Sequence, residues 1–489
     1  MTGQFWQDAC VFSPELVLLV GALGALMAGT YVRDGYAAAQ RIAYVALFGA
    51  LALVCLIPAN GAISYGLNFA TTAATQFAKF WVFAAAIGAL TLAHHALARA
   101  QVRRFEFPVL ILLSALGMCL MISARDFMVL YVSIELQSLP LYILAAFVRH
   151  DERSAEAGLK YFVLGALSSG LLLYGISLLY GATGSIQYGS VATFINSGAP
   201  SMAVTLALVF ILAAVAFKIS AAPFHMWTPD VYQGAATPIT AFFTTAPKVA
   251  GAMVVLQLLH GPAPLGGAHA AWEQILWAAA ALSLIVGAFA ALMQQNIKRL
   301  LAYSTINHVG FLLIAILAGG TDGAAALLVY LGIYVIISLG TFGGILLLQQ
   351  QGEATDSIAD LTGLARRKPR IALAMAVLMF AAAGIPPTAG FLSKMFVLLA
   401  AMHGGYAWLA ALGVVTSVVA TFYYLRIIKL MYFDDAVASI AAPLQKPSRR
   451  LVALLIIMTA LTLGLMVFPS AIVAPATDAA QAITANGGR

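Results

Sequence analysis

The 489-residue chain is 62% hydrophobic and only 9% charged, with a mean hydropathy of +0.96. Soluble domains carry about 25% charged residues, so a water-facing surface is excluded and the chain reads as an all-α polytopic membrane protein. The formal charge of +7 does not point to nucleic acid, because no Lys/Arg tract is interleaved with aromatics; one-sided basic loops account for it.

The N-terminal stretch MTGQFWQDACVFSPE has no basic region ahead of its first apolar run. That run is expected to be a retained span rather than a cleaved signal. A hydrocarbon core of about 30 Å needs roughly 20 apolar residues per helix. Fourteen segments meet that demand, near 14–32, 41–59, 77–98, 107–124, 126–148, 156–181, 201–236, 238–260, 272–294, 298–319, 323–349, 371–402, 406–431 and 450–470. The seventh and twelfth are too long for one straight span, and each contains a break, at Pro223 and at Pro386-Pro387. A sheet crossing lipid is excluded except as a closed barrel, whose alternating pattern is missing. The three cysteines, Cys10, Cys55 and Cys119, are far apart and form no metal or disulfide motif.

Of the 25 basic residues, eighteen fall in or beside loops that follow odd-numbered spans, among them Arg33, Arg103, Arg104, Lys298, Arg299, Arg366, Lys368 and Lys446. The opposite side has little beyond Lys79, Arg125 and Arg489. This asymmetry predicts that both termini face away from the cytoplasm.

Four lysines remain inside predicted spans: Lys160, Lys218, Lys248 and Lys394. Glu135 is the one acid clearly inside a span, and His308 the one histidine near a span centre. A charge at the bilayer centre costs about 2.5–3.5 kcal/mol on insertion scales, so such residues are candidates for function. A buried lysine with a movable carboxylate can be toggled between protonated and neutral, which is what a proton relay needs. At 4 Å and an effective dielectric of 20, Glu135 would offset the burial of Lys218 by about 4 kcal/mol. Blander roles stand beside these. Lys160 is four residues after Glu156, where snorkelling or an i,i+4 pair explains it equally well. His308 also fits a satisfied core histidine, and Arg125 with Asp126 a loop ion pair. His225 and Asp230, near the Pro223 break, are secondary candidates that also suit helix caps or contact with water.

Proline breaks free backbone carbonyls, which are tolerated only where protein or water replaces lipid. Span 7 carries K-x4-P and span 12 carries P-P-x6-K; spans 5 and 10 carry Glu135 and His308. A shift of five helices inverts the chain, so two inverted five-helix repeats are expected, helices 4–8 and 9–13, with helices 7 and 12 broken. The expected organisation is a three-helix segment at 1–105, repeats at 106–262 and 263–435, and a final helix and tail at 436–489.

Four stretches, FKISAAPFHMWTPDVYQGAATP (217–238), KRLLAYSTINHVGFLL (298–313), DLTGLARRKP (360–369) and GIPPTAGFLSKMFVL (384–398), resemble the antiporter-like proton-translocating subunits of respiratory complex I, the NADH-quinone oxidoreductase. The resemblance implies a switchable pair at Glu135 and Lys218, transfer through Lys248 and His308, outward release at Lys394, and a helix-6 lysine at Lys160. It implies a bacterial inner membrane, neighbouring antiporter-like and other membrane subunits of complex I, a peripheral redox arm, and surrounding lipid. NADH, FMN, Fe–S clusters and quinone are implied on partner subunits, with no cofactor on this chain; Gly-rich phosphate loops and Fe–S cysteine spacing are missing. Two rivals are a subunit of a multisubunit cation/proton antiporter and a passive membrane scaffold of a redox complex.

Overall fold

A computed structural model describes residues 9–58, 60–64, 68–99, 101–198, 201–261, 263–265, 269–348, 357–435 and 448–484. Lys446, Arg489 and the first eight residues of the N-terminal stretch lie outside them. The described chain is helical throughout apart from one antiparallel hairpin, β1 (Asn60–Ser64) with β2 (Phe69–Thr72). The exclusion of sheet held for lipid-spanning segments only: this hairpin is the connection between two helices.

The helices are α1 (Ser13–Tyr31), α2 (Gly35–Leu56), α3 (Ala73–Arg99), α4 (Glu106–Ser123), α5 (Phe127–Ala145), α6 (Glu152–Thr183), α7 (Tyr188–Asn196), α8 (Met202–Ile219), α9 (Thr228–Gly234), α10 (Thr237–His260), α11 (His269–Leu292), α12 (Ile297–Ala318), α13 (Gly320–Leu347), α14 (Leu364–Arg367), α15 (Pro369–Ala383), α16 (Ala389–His403), α17 (Ala407–Tyr432), α18 (Arg449–Val467) and α19 (Ser470–Thr484). Thirteen are long and apolar enough to cross a membrane. The segment expected as the twelfth span is two helices of 15 residues, α15 and α16, each short for a crossing. Helices α7 and α19 were not anticipated, because neither carries a run long enough for a span.

Helix ends follow local chemistry. Asp34, Asp151 and Asn296 accept backbone N–H bonds at the starts of α2, α6 and α12. Proline occupies the first turn of α1, α9, α10 and α15, where its missing N–H costs nothing. Asp126 caps α5 through the amides of Met128 (2.7 Å) and Val129 (3.0 Å), so its task is helix initiation rather than a loop ion pair.

Burial sorts the helices. The most apolar window of α10 is 100% buried and those of α12 and α13 are 94% buried, against 17% for α18. The first three form the interior, and they carry Lys248, His308 and the aromatic wall facing that histidine. Helix α3 packs directly on α10. It also corrects one expectation: Lys79, assigned to an outer loop, is 1% exposed and pairs with Glu15 of α1 at 2.6 Å. Glu15 is fully buried, a second interior acid beside the expected Glu135. Both residues lie near the ends of apolar runs, where a linear reading assigns charges to water.

Candidate functional site

Helix α8 stops one residue after Lys218. Ser220 takes a left-handed conformation (φ +68°), and a cis Ala222–Pro223 bond follows before α9. The freed backbone is repaired locally: the Trp227 indole donates to the Phe217 carbonyl at 3.1 Å, and the Ala222 amide donates to Ser283 Oγ at 2.8 Å. Lys218 is buried and donates to Ser138 Oγ (2.9 Å) and the Tyr142 hydroxyl (3.1 Å) on α5. Glu135 lies three residues before Ser138 on the same helix, and its Oε1 has no hydrogen-bond partner. No ion pair joins Glu135 and Lys218 among the described residues; the Lys218 ammonium instead meets the two hydroxyls of α5.

Lys248, fully buried on α10, donates to Ser220 Oγ at 2.8 Å, so the residue that ends α8 supplies its oxygen ligand. Its ammonium lies 5.1 Å from the Trp227 ring and 5.8 Å from the Tyr232 ring. The Tyr232 hydroxyl donates to the Phe243 carbonyl at 3.2 Å, and the Tyr334 hydroxyl donates to Thr305 Oγ1 at 3.0 Å. Thr305 and His308 are one turn apart on α12, and the Tyr334 ring lies 5.1 Å from the His308 ring. Tyr232 thus lies beside Lys248, and Thr305 and Tyr334 lie beside His308.

The second break lies between α15 and α16, across a cis Pro386–Pro387 bond. Lys394 folds back to donate to the Ala383 carbonyl at 2.8 Å and to Ser417 Oγ at 3.2 Å. A cation on a free C-terminal carbonyl also complements the helix dipole. Gly384, at φ +84°, makes room: a Cβ there would come within 2.7 Å of the Lys394 chain. Lys298 does the same for α9, donating to the Ala235 carbonyl at 3.1 Å while 4% exposed, although its sequence position reads as a loop residue.

Other candidates lie apart. Lys160 is 41% exposed and pairs with Glu156 and Asp230, both at 2.7 Å. Arg299 of α12 holds the other Asp230 oxygen at 2.6 Å. This surface clasp joins α6, α9 and α12, and takes Lys160 and Asp230 out of the buried row. His225 lies in the turn before α9, its carbonyl accepting from the Thr228 amide, and its buried Nδ1 has no hydrogen-bond partner. Pro223 faces an apolar cavity of about 300 Å³ between α8, α10, α11 and α12, so the two sides of this break differ: lysines and hydroxyls on one, hydrocarbon on the other.

A family profile described as NADH:quinone oxidoreductase/Mrp antiporter, TM, matches residues 124–420, which include the candidate residues just described. NADH-quinone oxidoreductase subunit N of Parvibaculum lavamentivorans is 45% identical over 471 residues, 96% of each chain. The chain belongs to the subunit N family of NADH-quinone oxidoreductases. The Rhodospirillum rubrum subunit N is 46% identical, again over 96% of each chain. A chain of respiratory complex I from Thermus thermophilus with bound aureothin superposes with a TM-score of 0.79 at 32% identity, covering 94% of this chain and 98% of that one. The fold extends further: a chain of an archaeal membrane-bound sulfane sulfur reductase reaches a TM-score of 0.86 at 24% identity, covering 98% of both chains.

For this member of the subunit N family, the structure adds oxygen ligands that a linear reading misses. Ser138 and Tyr142 sit at i+3 and i+7 from Glu135 and were open to a helical-stripe argument. Ser417 and Ser220 were not, because nothing local ties them to Lys394 or Lys248. The described residues hold no group of three or more His, Cys, Asp or Glu side chains suited to a metal ion, and the three cysteines are free.

Proposed function

We propose that this chain is a proton-translocating subunit of the bacterial inner-membrane NADH-quinone oxidoreductase, with both termini on the periplasmic side. NADH oxidation and quinone reduction occur on partner subunits, and neighbouring antiporter-like subunits and the peripheral arm complete the assembly. The chain is organised as a three-helix segment (1–105), inverted repeats at 106–262 and 263–435 with helices 7 and 12 broken, and a final helix (436–489). One observation carries the reading: three lysines, Lys218, Lys248 and Lys394, are buried without ion pairs among the described residues, each held by neutral oxygens. Lys248 and Lys394, so held, can give up a proton without leaving a stranded counter-charge.

In the proposed cycle, the distance between Glu135 and Lys218 sets how well Lys218 is held as a cation. The Ser138 and Tyr142 hydroxyls position the ammonium. When the carboxylate moves apart, Lys218 is less stabilised as a cation and its proton passes to Lys248 by way of Ser220. From Lys248 it passes to His308, and Lys394 releases it outward. Lys160 serves at the surface clasp with Asp230, ahead of the buried row.

The test is Lys248→Met in assembled enzyme in inverted membrane vesicles. Proton translocation and quinone-linked NADH oxidation should both fall, while NADH oxidation by a soluble acceptor persists. Undiminished translocation would sink the proposal. Because the matching family also covers Mrp antiporters, sodium movement independent of NADH and lost on removing Lys218 would favour the antiporter reading.

A further inference from the structure

His308 is bracketed by two phenols. Its Nδ1 lies 2.6 Å from the Tyr330 hydroxyl of α13, and its Nε2 lies 3.4 Å from the Tyr424 hydroxyl of α17. A phenol can donate or accept, so each ring nitrogen has a partner in either tautomer. Behind Tyr424 stands Ser304, hydrogen-bonded to it and one turn before His308 on α12. His308, Tyr330, Tyr334 and Lys394 border one common gap of about 10 Å³. Tyr330, Tyr424 and Ser304 are all buried. The charged group acting on the ring is Lys394, and no carboxylate acts on it among the described residues.

We propose that Tyr330 and Tyr424 are further relay groups, handing the proton into and out of His308, with Tyr330 passing it on to Lys394. The proposal deepens the relay above and rests on it. In one passage the Tyr424 O–H proton moves to Nε2, and Tyr424 is replenished from the Ser304 hydroxyl. The Nδ1 proton moves to the Tyr330 oxygen as that phenol's own proton passes to the neutral Lys394 amine across the gap they share. One proton has entered from the Ser304 side and one has reached Lys394; both phenols keep one proton each, and the imidazole N–H has moved from Nδ1 to Nε2.

The experiment compares Tyr330→Phe, Tyr424→Phe and Tyr330→His with the parent in the assembled complex, in inverted vesicles. Proton translocation, NADH oxidation by a soluble acceptor, and the solvent deuterium isotope effect are read together. The phenylalanine variants should oxidise NADH with the soluble acceptor at the parent rate. Their translocation should fall about a hundredfold, the lower end of what a positioned proton-transfer group contributes, with a larger isotope effect. Tyr330→His, which restores an exchangeable proton, should regain part of the loss. Parent-like translocation and isotope effect in the phenylalanine variants overturn the proposal, as does a Tyr330→His variant no better than Tyr330→Phe. Should Tyr330→Phe not assemble, Tyr424→Phe decides alone by the same criteria. A parent-like Tyr330→Phe beside an inactive Lys248→Met removes this inference and leaves the wider relay standing; a fully active Lys248→Met removes both.

Discussion

Lys248 donates to the side chain of Ser220, the residue at which α8 ends, at 2.8 Å. A helix terminus and a buried cation are thereby made into one unit. The hydroxyl is presented by a non-glycine residue at φ +68°, a conformation that costs about 1–3 kcal/mol and persists only where the surroundings enforce it. Ser220→Gly should relieve the backbone while removing the ligand. The expected outcome is an assembled complex with translocation several-fold lower, and Ser220→Ala should lose stability as well. Thermal inactivation and proton uptake, measured on the same membranes, separate the two effects.

Glu15 and Lys79 make a different prediction. Removing one partner of a buried ion pair leaves an uncompensated charge and costs about 3–5 kcal/mol, whereas replacing both is often neutral. Lys79→Met should therefore reduce assembled complex sharply, and Glu15→Gln combined with Lys79→Met should recover most of it. Native-gel quantification of assembled enzyme is the check, and a double variant as depleted as the single one would show that the pair contributes more than mutual neutralisation.

Gly384 is the third test. A side chain there meets both an unfavourable φ and the Lys394 chain. Gly384→Ala should cost about 1–3 kcal/mol and displace Lys394 from the Ala383 carbonyl. Translocation should fall with it, while NADH oxidation by a soluble acceptor should not. Equal thermal stability of variant and parent would contradict the packing described.

The surface clasp should behave unlike the buried row. Lys160 is 41% exposed, and exposed ion pairs contribute roughly 0–1 kcal/mol. Lys160→Met is expected to lower NADH-linked turnover about twofold or less, with an effect that shrinks as salt rises. A loss as deep as that of Lys248→Met would place Lys160 on the obligatory route.

The cost of burying charge made Lys218, Lys248, Lys394 and His308 legible in the sequence, and the prolines marked where the helices stop. Their partners were legible only in part. Ser138 and Tyr142 follow Glu135 at helical spacing, but Tyr424 is 116 residues from His308 and Ser417 is 23 from Lys394; nothing local joins those. Lys79 and Lys298 were misplaced for a common reason. Each lies near the end of an apolar run, where linear position suggests water and the neighbouring helices deny it. Hydropathy also could not show that Pro223 has hydrocarbon on one side and lysines on the other, because it averages around the helix axis.

Lys394 takes its principal ligand from the main chain. A carbonyl is present whatever residue stands at position 383, so drift in side-chain identity cannot erase this partner. Only a change in the path of the chain between Ala383 and Ala389 can. The selective burden at this end of the molecule therefore falls on geometry: the glycine and the two prolines guard the ammonium's resting place more strictly than any residue that touches it.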